Sequence, residues 1–224
     1  MPASDQFLTD VSLEGVKIIN ATTAALKEWA IVCKALEEGR QVILLRKGGI
    51  MEYKQGFEVK HSDFFLYPTF EHQSKESLQP DYVNKLDIVL KNAPKNSRNR
   101  ISSCAAVVQV MEITDKSVFR RLEKYHVWND HYINIRMSYN PKKPMNVVVL
   151  RVYKMNSPLE VEIKSELTGC KSWIPIRLSL CETKLKAQKS PVSAIDMVKE
   201  DCQPVFNDSE FREIVTELQE VLNR

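Results

Sequence analysis

Hydrophobic positions along this chain fall into two kinds of pattern. Residues 22–38, TTAALKEWAIVCKALEE, carry Leu26, Trp29, Ala30, Cys33 and Leu36 at three-to-four spacing, which predicts a helix. Thr22 or Thr23 is its expected N-cap, and Gly39 its C′ residue. QVILLR (41–46) is a short apolar run, expected as a strand buried on both faces, and it ends in a turn at Lys47-Gly48-Gly49. Phe57–Lys60 and Phe64–Tyr67 read as further strands. Residues 74–100 read as loop with a short strand near Leu86–Leu90. ISSCAAVVQVMEI (101–113) and NVVVLRVYKM (146–155) are strong strands, and LEVEI (159–163) a weaker one. Asp115–Tyr125 reads as a helix capped by Thr114 or Asp115; residues 186–206 read as irregular. A final amphipathic helix spans about Ser209–Leu222, with Phe211, Ile214, Val215, Leu218, Val221 and Leu222 on one face.

Strands thus dominate the middle of the chain and helices flank them. Strict βαβ alternation is missing, which argues against a doubly wound sheet and for an α+β fold, a small β-barrel with flanking helices. The expected organisation is an N-terminal segment (1–21), a barrel domain (22–180), and an irregular segment and helix (181–224) packed on that domain.

Composition narrows the class. The chain has 224 residues, 43% of them hydrophobic and 27% charged, enough for a core and against global disorder. A net charge of +3 names no partner by itself. The five cysteines are odd in number and lack C-x-x-C spacing, which fits reduced thiols in a cytoplasmic protein. With four histidines and no paired ligand spacing, no metal or other cofactor is expected. The start of the chain lacks a signal-like apolar core, no apolar run approaches a membrane span, and no membrane association is expected.

The distribution of charge says more than its sum. Lys91, Lys95, Arg98 and Arg100 fall in one acid-free window, and Arg136, Lys142, Lys143, Arg151 and Lys154 in another that also holds Tyr132, Tyr139 and Tyr153. Each window is either a solvated stretch that lacks acids or a nucleic-acid surface, where cations meet phosphates and rings stack on bases. RKGGI (46–50) is either a tight turn or a backbone cradle in which Gly48 and Gly49 admit an anion and Arg46 and Lys47 add charge. It is not a Walker A loop.

"FFLYPTFEHQ" (64–73) runs from apolar strand through Pro68 into Thr69, Glu71, His72 and Gln73. Those groups either read a base edge or polar small molecule, or form a structural network with Glu71 pairing Arg46 and His72 capping backbone. Trp128, in YHVWND, either closes the core or stacks on a ligand; Trp173, beside Lys171, raises the same choice. Hydrolytic motifs are weak. Glu58-Val59-Lys60 and Glu162-Ile163-Lys164 have the E-x-K spacing of a metal-nuclease signature without its preceding aspartate. Glu58, Lys60, Glu71 and His72 are the candidate acid–base groups for an enzyme acting on nucleic acid.

LKEWAIVCKALEEGRQVILLRKGGI, FEVKHSDFFLYPTFEHQ, HVWND and NVVVLRVYKM together resemble the bacterial domain of unknown function 1802, over roughly residues 22–180. That resemblance implies a role near DNA modification, restriction or phage defence. More distantly, the helix–glycine–strand run ending at Arg46, AAVVQVMEITDKSVFRRL and NVVVLRVYKM resemble PUA-like barrels, including ASCH and EVE domains. The implied function is binding of RNA or of a modified DNA base. Some ASCH proteins build an amidohydrolase site from a lysine and threonine after that glycine; here Gln41 and Val42 stand there, which leaves binding.

The leading expectation is a nucleic-acid-binding module whose partner is DNA or RNA. Gly48 and Gly49 would approach the ligand. Arg46, Lys47, Arg136 and Arg151 would supply charge, Tyr67 or Trp128 would stack, and Thr69, Glu71, His72 and Gln73 would read polar edges. A nuclease or base hydrolase, and a protein-interaction module of a defence system docking through the 209–222 helix, are the alternatives.

Overall fold

The structure, a computed structural model, describes residues 9–13, 16–47, 56–181 and 201–222. Gly48, Gly49 and the stretch 186–200 lie outside the described residues. The strands are β1 (Thr9–Leu13), β2 (Val16–Trp29), β3 (Ile43–Arg46), β4 (Asp63–Thr69), β5 (Arg98–Ile113), β6 (Met145–Glu162), β7 (Trp173–Cys181) and β8 (Cys202–Pro204). The helices are α1 (Ala30–Glu37), α2 (Pro80–Lys91), α3 (Ser117–Arg121), α4 (Asp130–Ser138) and α5 (Asp208–Leu222).

The class is α+β, as expected, but the sheet is open where a closed barrel was expected. Its path runs β1-β2-β4-β5-β6-β3, with β7 on β2 and β8 on β6. Only β2 and β4 pair in parallel among the described ladders. The two longest strands, β5 and β6, form an antiparallel ladder whose register shifts between Ile101 and Ser103 and between Val107 and Gln109. Such bulges bend and twist a ribbon. The sheet curls far enough that Arg46 on β3 donates to Glu28 on β2 at 2.9 Å, although no described ladder joins those strands.

β4 shows why its sequence is apolar throughout. Phe64 and Leu66 pack in the larger core, while Phe65 and Tyr67 pack in a smaller one with Ala25, Ile101, Cys104 and Ile174. Both faces of this strand are covered, so alternation is lost.

Three expectations about elements are corrected. Residues 22–29 are strand, and the helix begins only at Ala30. Thr22 and Thr23 therefore cap nothing; they pair with Arg177 and Ile176 of β7. Leu86–Leu90 lies in helix α2, which starts with Pro80 at its first turn and buries Tyr82 and Leu86. Phe57–Lys60 is irregular, pinned by Trp173 Nε1 donating to the Glu58 carbonyl at 3.0 Å. Gly39 does terminate α1, at φ +67°, and an added Cβ would meet Phe206 at 2.8 Å.

α5 packs its apolar stripe on the main core, with Leu218 only 1% exposed. A reciprocal box starts it: Asn207 Oδ1 accepts from Ser209 and Glu210, and Glu210 Oε2 accepts from the Asn207 amide. The stripe is thus packed on the core and is not the exposed docking face that the protein-interaction alternative required.

Candidate functional site

β2, β4 and β3 bring their last residues to one place. In the parallel β2–β4 ladder Trp29 stands opposite Thr69, and Arg46 ends β3 across the curl. The three ends, α4 and the segment before β7 enclose a cleft of about 430 Å³. That is a size at which proteins hold small ligands.

The cleft's apolar wall is a ring cluster. Trp128 stacks face to face on Tyr132, centroids 3.8 Å apart at 8°, and Trp29 meets Trp128 edge-on at 4.9 Å. Trp128 itself is 3% exposed, so it backs the wall, while Trp29 and Tyr132 are only partly covered. The chain around Trp128 is fixed from below. The Gln79 amide donates to the carbonyls of His126 (2.7 Å) and Trp128 (3.2 Å). Asn129 caps α4 by accepting from the Tyr132 amide at 3.1 Å, and donates to Glu76 and Leu78. Burial pushes the Tyr132 hydroxyl up to about 12, so it stays protonated at neutral pH.

Cations surround these rings. Lys27, Arg46, Arg136 and Lys171 line the cleft, together with His72, whose φ of +59° places it in a tight turn. Glu28 is the acid of the lining among the described residues, and it is already engaged. It accepts from Arg46 at 2.9 Å and from the Trp29 amide at 2.8 Å. Arg46 also lies over the Phe57 ring at 4.9 Å. Burial lowers the Lys27 pKa, an effect opposed by the Glu71 carboxylate. Cys170, an exposed free thiol, lies on the same rim.

The residues singled out from sequence separate into groups. Arg46, Thr69, His72, Trp128 and Arg136 line this cleft. Tyr67 and Glu71 line a second one on the other side of Thr69. Gln73 is occupied in the scaffold: its Oε1 accepts from the Ile31 amide at the start of α1, and its Nε2 donates to the Thr69 carbonyl. Lys47 is buried, donating to the Met137 carbonyl at 2.9 Å at the end of α4, and burial followed by repulsion from Arg136 lowers its pKa. Arg151 lies elsewhere, paired with Asp208 under α5. The partner of Arg46 is Glu28 rather than the Glu71 of the structural-network alternative.

Of the acid–base candidates, His72 lines the first cleft and Glu71 the second. Glu58 and Lys60 are exposed on an irregular segment, and no group of three His, Cys, Asp or Glu suited to a metal gathers among the described residues. Gln41 is buried, with its amide donating to the Ile43 carbonyl and accepting from the Val127 amide. No helix among the described residues is long and apolar enough to cross a membrane.

Sequence reading missed Lys27 and Trp29, because both fell inside the expected helix, and Lys171, weighed only beside Trp173. The available signal was the "KEW" triplet running straight into the start of α1, where a strand end exposes alternate side chains.

Fold and site together define an α+β protein built on one curled, open sheet, with a cationic, ring-walled cleft where three strands end. The chain belongs to the family described as Domain of unknown function (DUF1802), whose model matches residues 25–194. No curated protein matches it in sequence. Among solved structures, ASCH from Zymomonas mobilis aligns at 10% identity and a TM-score of 0.34, over 86% of this chain and 93% of that one. A serine-to-alanine mutant of ZmASCH from Zymomonas mobilis aligns at 9% identity and a TM-score of 0.36, over 86% and 94%. Likeness at this level leaves the site to be argued from the chain's own geometry.

Proposed function

We propose that the chain binds nucleic acid and that the cleft beside Trp29 receives one nucleotide of a single strand or a flipped base. One observation carries this reading: Lys27, Arg46, Arg136 and Lys171 surround the partly open rings of Trp29 and Tyr132, and Glu28, the acid beside them, is neutralised by Arg46. Cations next to partly exposed aromatic rings suit a ligand that is both anionic and aromatic. Arg46 is oriented in advance by Glu28 and Phe57, so little side-chain freedom is lost on binding. Thr69 and His72 stand at the rim where a base edge would lie. A modified-base reader is the finer form of the same reading, since extrusion of a base requires such a walled pocket.

The test is equilibrium binding to a matched panel of single-stranded RNA, plain DNA and base-modified DNA at two salt concentrations. Binding with a log–log salt slope of about −2 is expected if some three phosphates are contacted. Lys171→Glu, an exposed substitution, should weaken it about tenfold without lowering the Tm. A preference for one modified species that survives high salt would establish the base pocket. Absence of binding across the panel overturns the proposal.

A further inference from the structure

The cleft beside Trp29 does not stand alone. A second, of about 220 Å³, opens on the far side of Thr69 and shares Lys27 and Thr69 with the first. Its walls are mostly apolar or aromatic: Tyr67, Phe70, Pro94, Ile163 and Leu167. Lys27 forms part of both walls, held there by donating from Nζ to the Gly169 carbonyl at 3.0 Å. Beyond it, exposed Lys91, Lys95 and Arg98 lead away along the end of α2 and the start of β5. Arg98 and Arg100 are partly offset there by Glu162 and Glu160, their register partners on β6.

We infer that the second cleft takes the nucleotide next to the one held beside Trp29, with Lys27 receiving the phosphate that links them. The inference rests on the nucleic-acid reading above and specifies its ligand as a single strand of at least two consecutive nucleotides. The two clefts differ as that assignment requires. The first collects the cations; the second is smaller, apolar, and lined by the carboxylate-bearing Glu71, which keeps phosphate out of its interior and toward the Lys27 wall. A flat base fits against the partly exposed Phe70, with buried Tyr67 behind it, without a phosphate needing to enter.

The experiment compares titrations of nucleoside 5′-monophosphates and of dinucleotides, ribo- and deoxyribo-, into the full chain, followed by tryptophan fluorescence and calorimetry. One further stacked base is expected to tighten binding about tenfold. Ile163→Glu and Thr168→Glu, two exposed substitutions at the second cleft, should each erase most of that gain and leave mononucleotide affinity unchanged. Lys27→Met should reduce the magnitude of the dinucleotide's log–log salt slope by about 0.7. Equal affinity for mono- and dinucleotide, or a full gain retained in both glutamate variants, overturns the two-site track and leaves the first cleft standing. If the unaltered chain binds neither probe, nor any strand of the panel, both readings fall together.

Discussion

Arg46 and Arg151 sit in closely similar surroundings. Arg46 donates to Glu28 at 2.9 Å with its guanidinium 4.9 Å from the Phe57 ring centre; Arg151 donates to Asp208 at 2.7 Å and lies 4.6 Å from that of Phe211. The difference is how far the carboxylate is covered. Glu28 is 6% and Arg46 16% exposed, the arginine lining a cleft, whereas Asp208 is 85% exposed and Arg151 only 9%, beneath α5. On the proposed reading, the covered Glu28 holds Arg46 ready for a ligand, while Arg151 holds α5 in place. Hydrogen-bond length does not separate the two pairs; burial of the carboxylate does.

Removing Arg46 should have the largest effect. Arg46→Met leaves a buried carboxylate without its countercharge, at a cost of about 3 kcal/mol in urea unfolding, and it should abolish nucleic-acid binding. Adding Glu28→Gln should recover much of the stability and none of the binding. Full binding in the double variant would show that Arg46 serves only the fold.

The wall behind the cleft supplies a pH test. Burial lowers the pKa of His126 from 6.5 to about 4; Nε2 faces the Phe119 carbonyl, and Nδ1 accepts from the Trp128 amide. The unfolded chain takes up a proton below pH 6.5 while the folded chain resists until about 4. The stability tied to neutral His126 is therefore complete above 6.5 and lost as pH falls toward 4, about 3 kcal/mol in all. His126→Gln should flatten that part of the stability–pH curve. An unchanged slope would show that His126 takes up its proton at the same pH in the folded and unfolded chain.

Arg151→Met should cost about 2 kcal/mol through looser docking of α5, with nucleic-acid affinity unchanged. Denaturant unfolding and the oligonucleotide panel check the two halves. A loss of affinity matching that of Arg46→Met would make the two arginines one surface and dissolve the contrast.

The Arg46–Glu28 pair was not legible from sequence, and the reason is local. In "TTAALKEWAIVC" the apolar residues have helical spacing, and Ala, Leu, Lys and Glu all favour helix. Pairing with β7 on one side and β4 on the other overrides that preference, and the chain stays extended to Trp29. With Glu28 assigned to a helix face, Glu71 was the acid weighed as a partner for Arg46. In PDYVNKLDIVLK the reverse occurred: a proline read as loop is the first residue of α2, and Tyr82 and Leu86 lie four apart on its buried face. Long apolar strands such as β5 and β6, the glycine stop of α1 and the stripe of α5 were legible because each rests on several side chains of one kind. The cleft depends on single residues contributed by distant segments, which periodicity does not report.

A third arginine sets the lower limit of the comparison. Arg120 pairs with Asp130 at 2.9 Å, the same distance as Arg46 with Glu28, but the two side chains are 76% and 60% exposed. Water solvates both charges whether or not they meet, and holding two long side chains together costs rotamer entropy. Arg120→Ala should therefore leave the Tm unchanged within measurement error and nucleic-acid affinity intact. A clear Tm drop would mean that pair distance outweighs burial in this protein, and the distinction drawn between Arg46 and Arg151 would lose its basis.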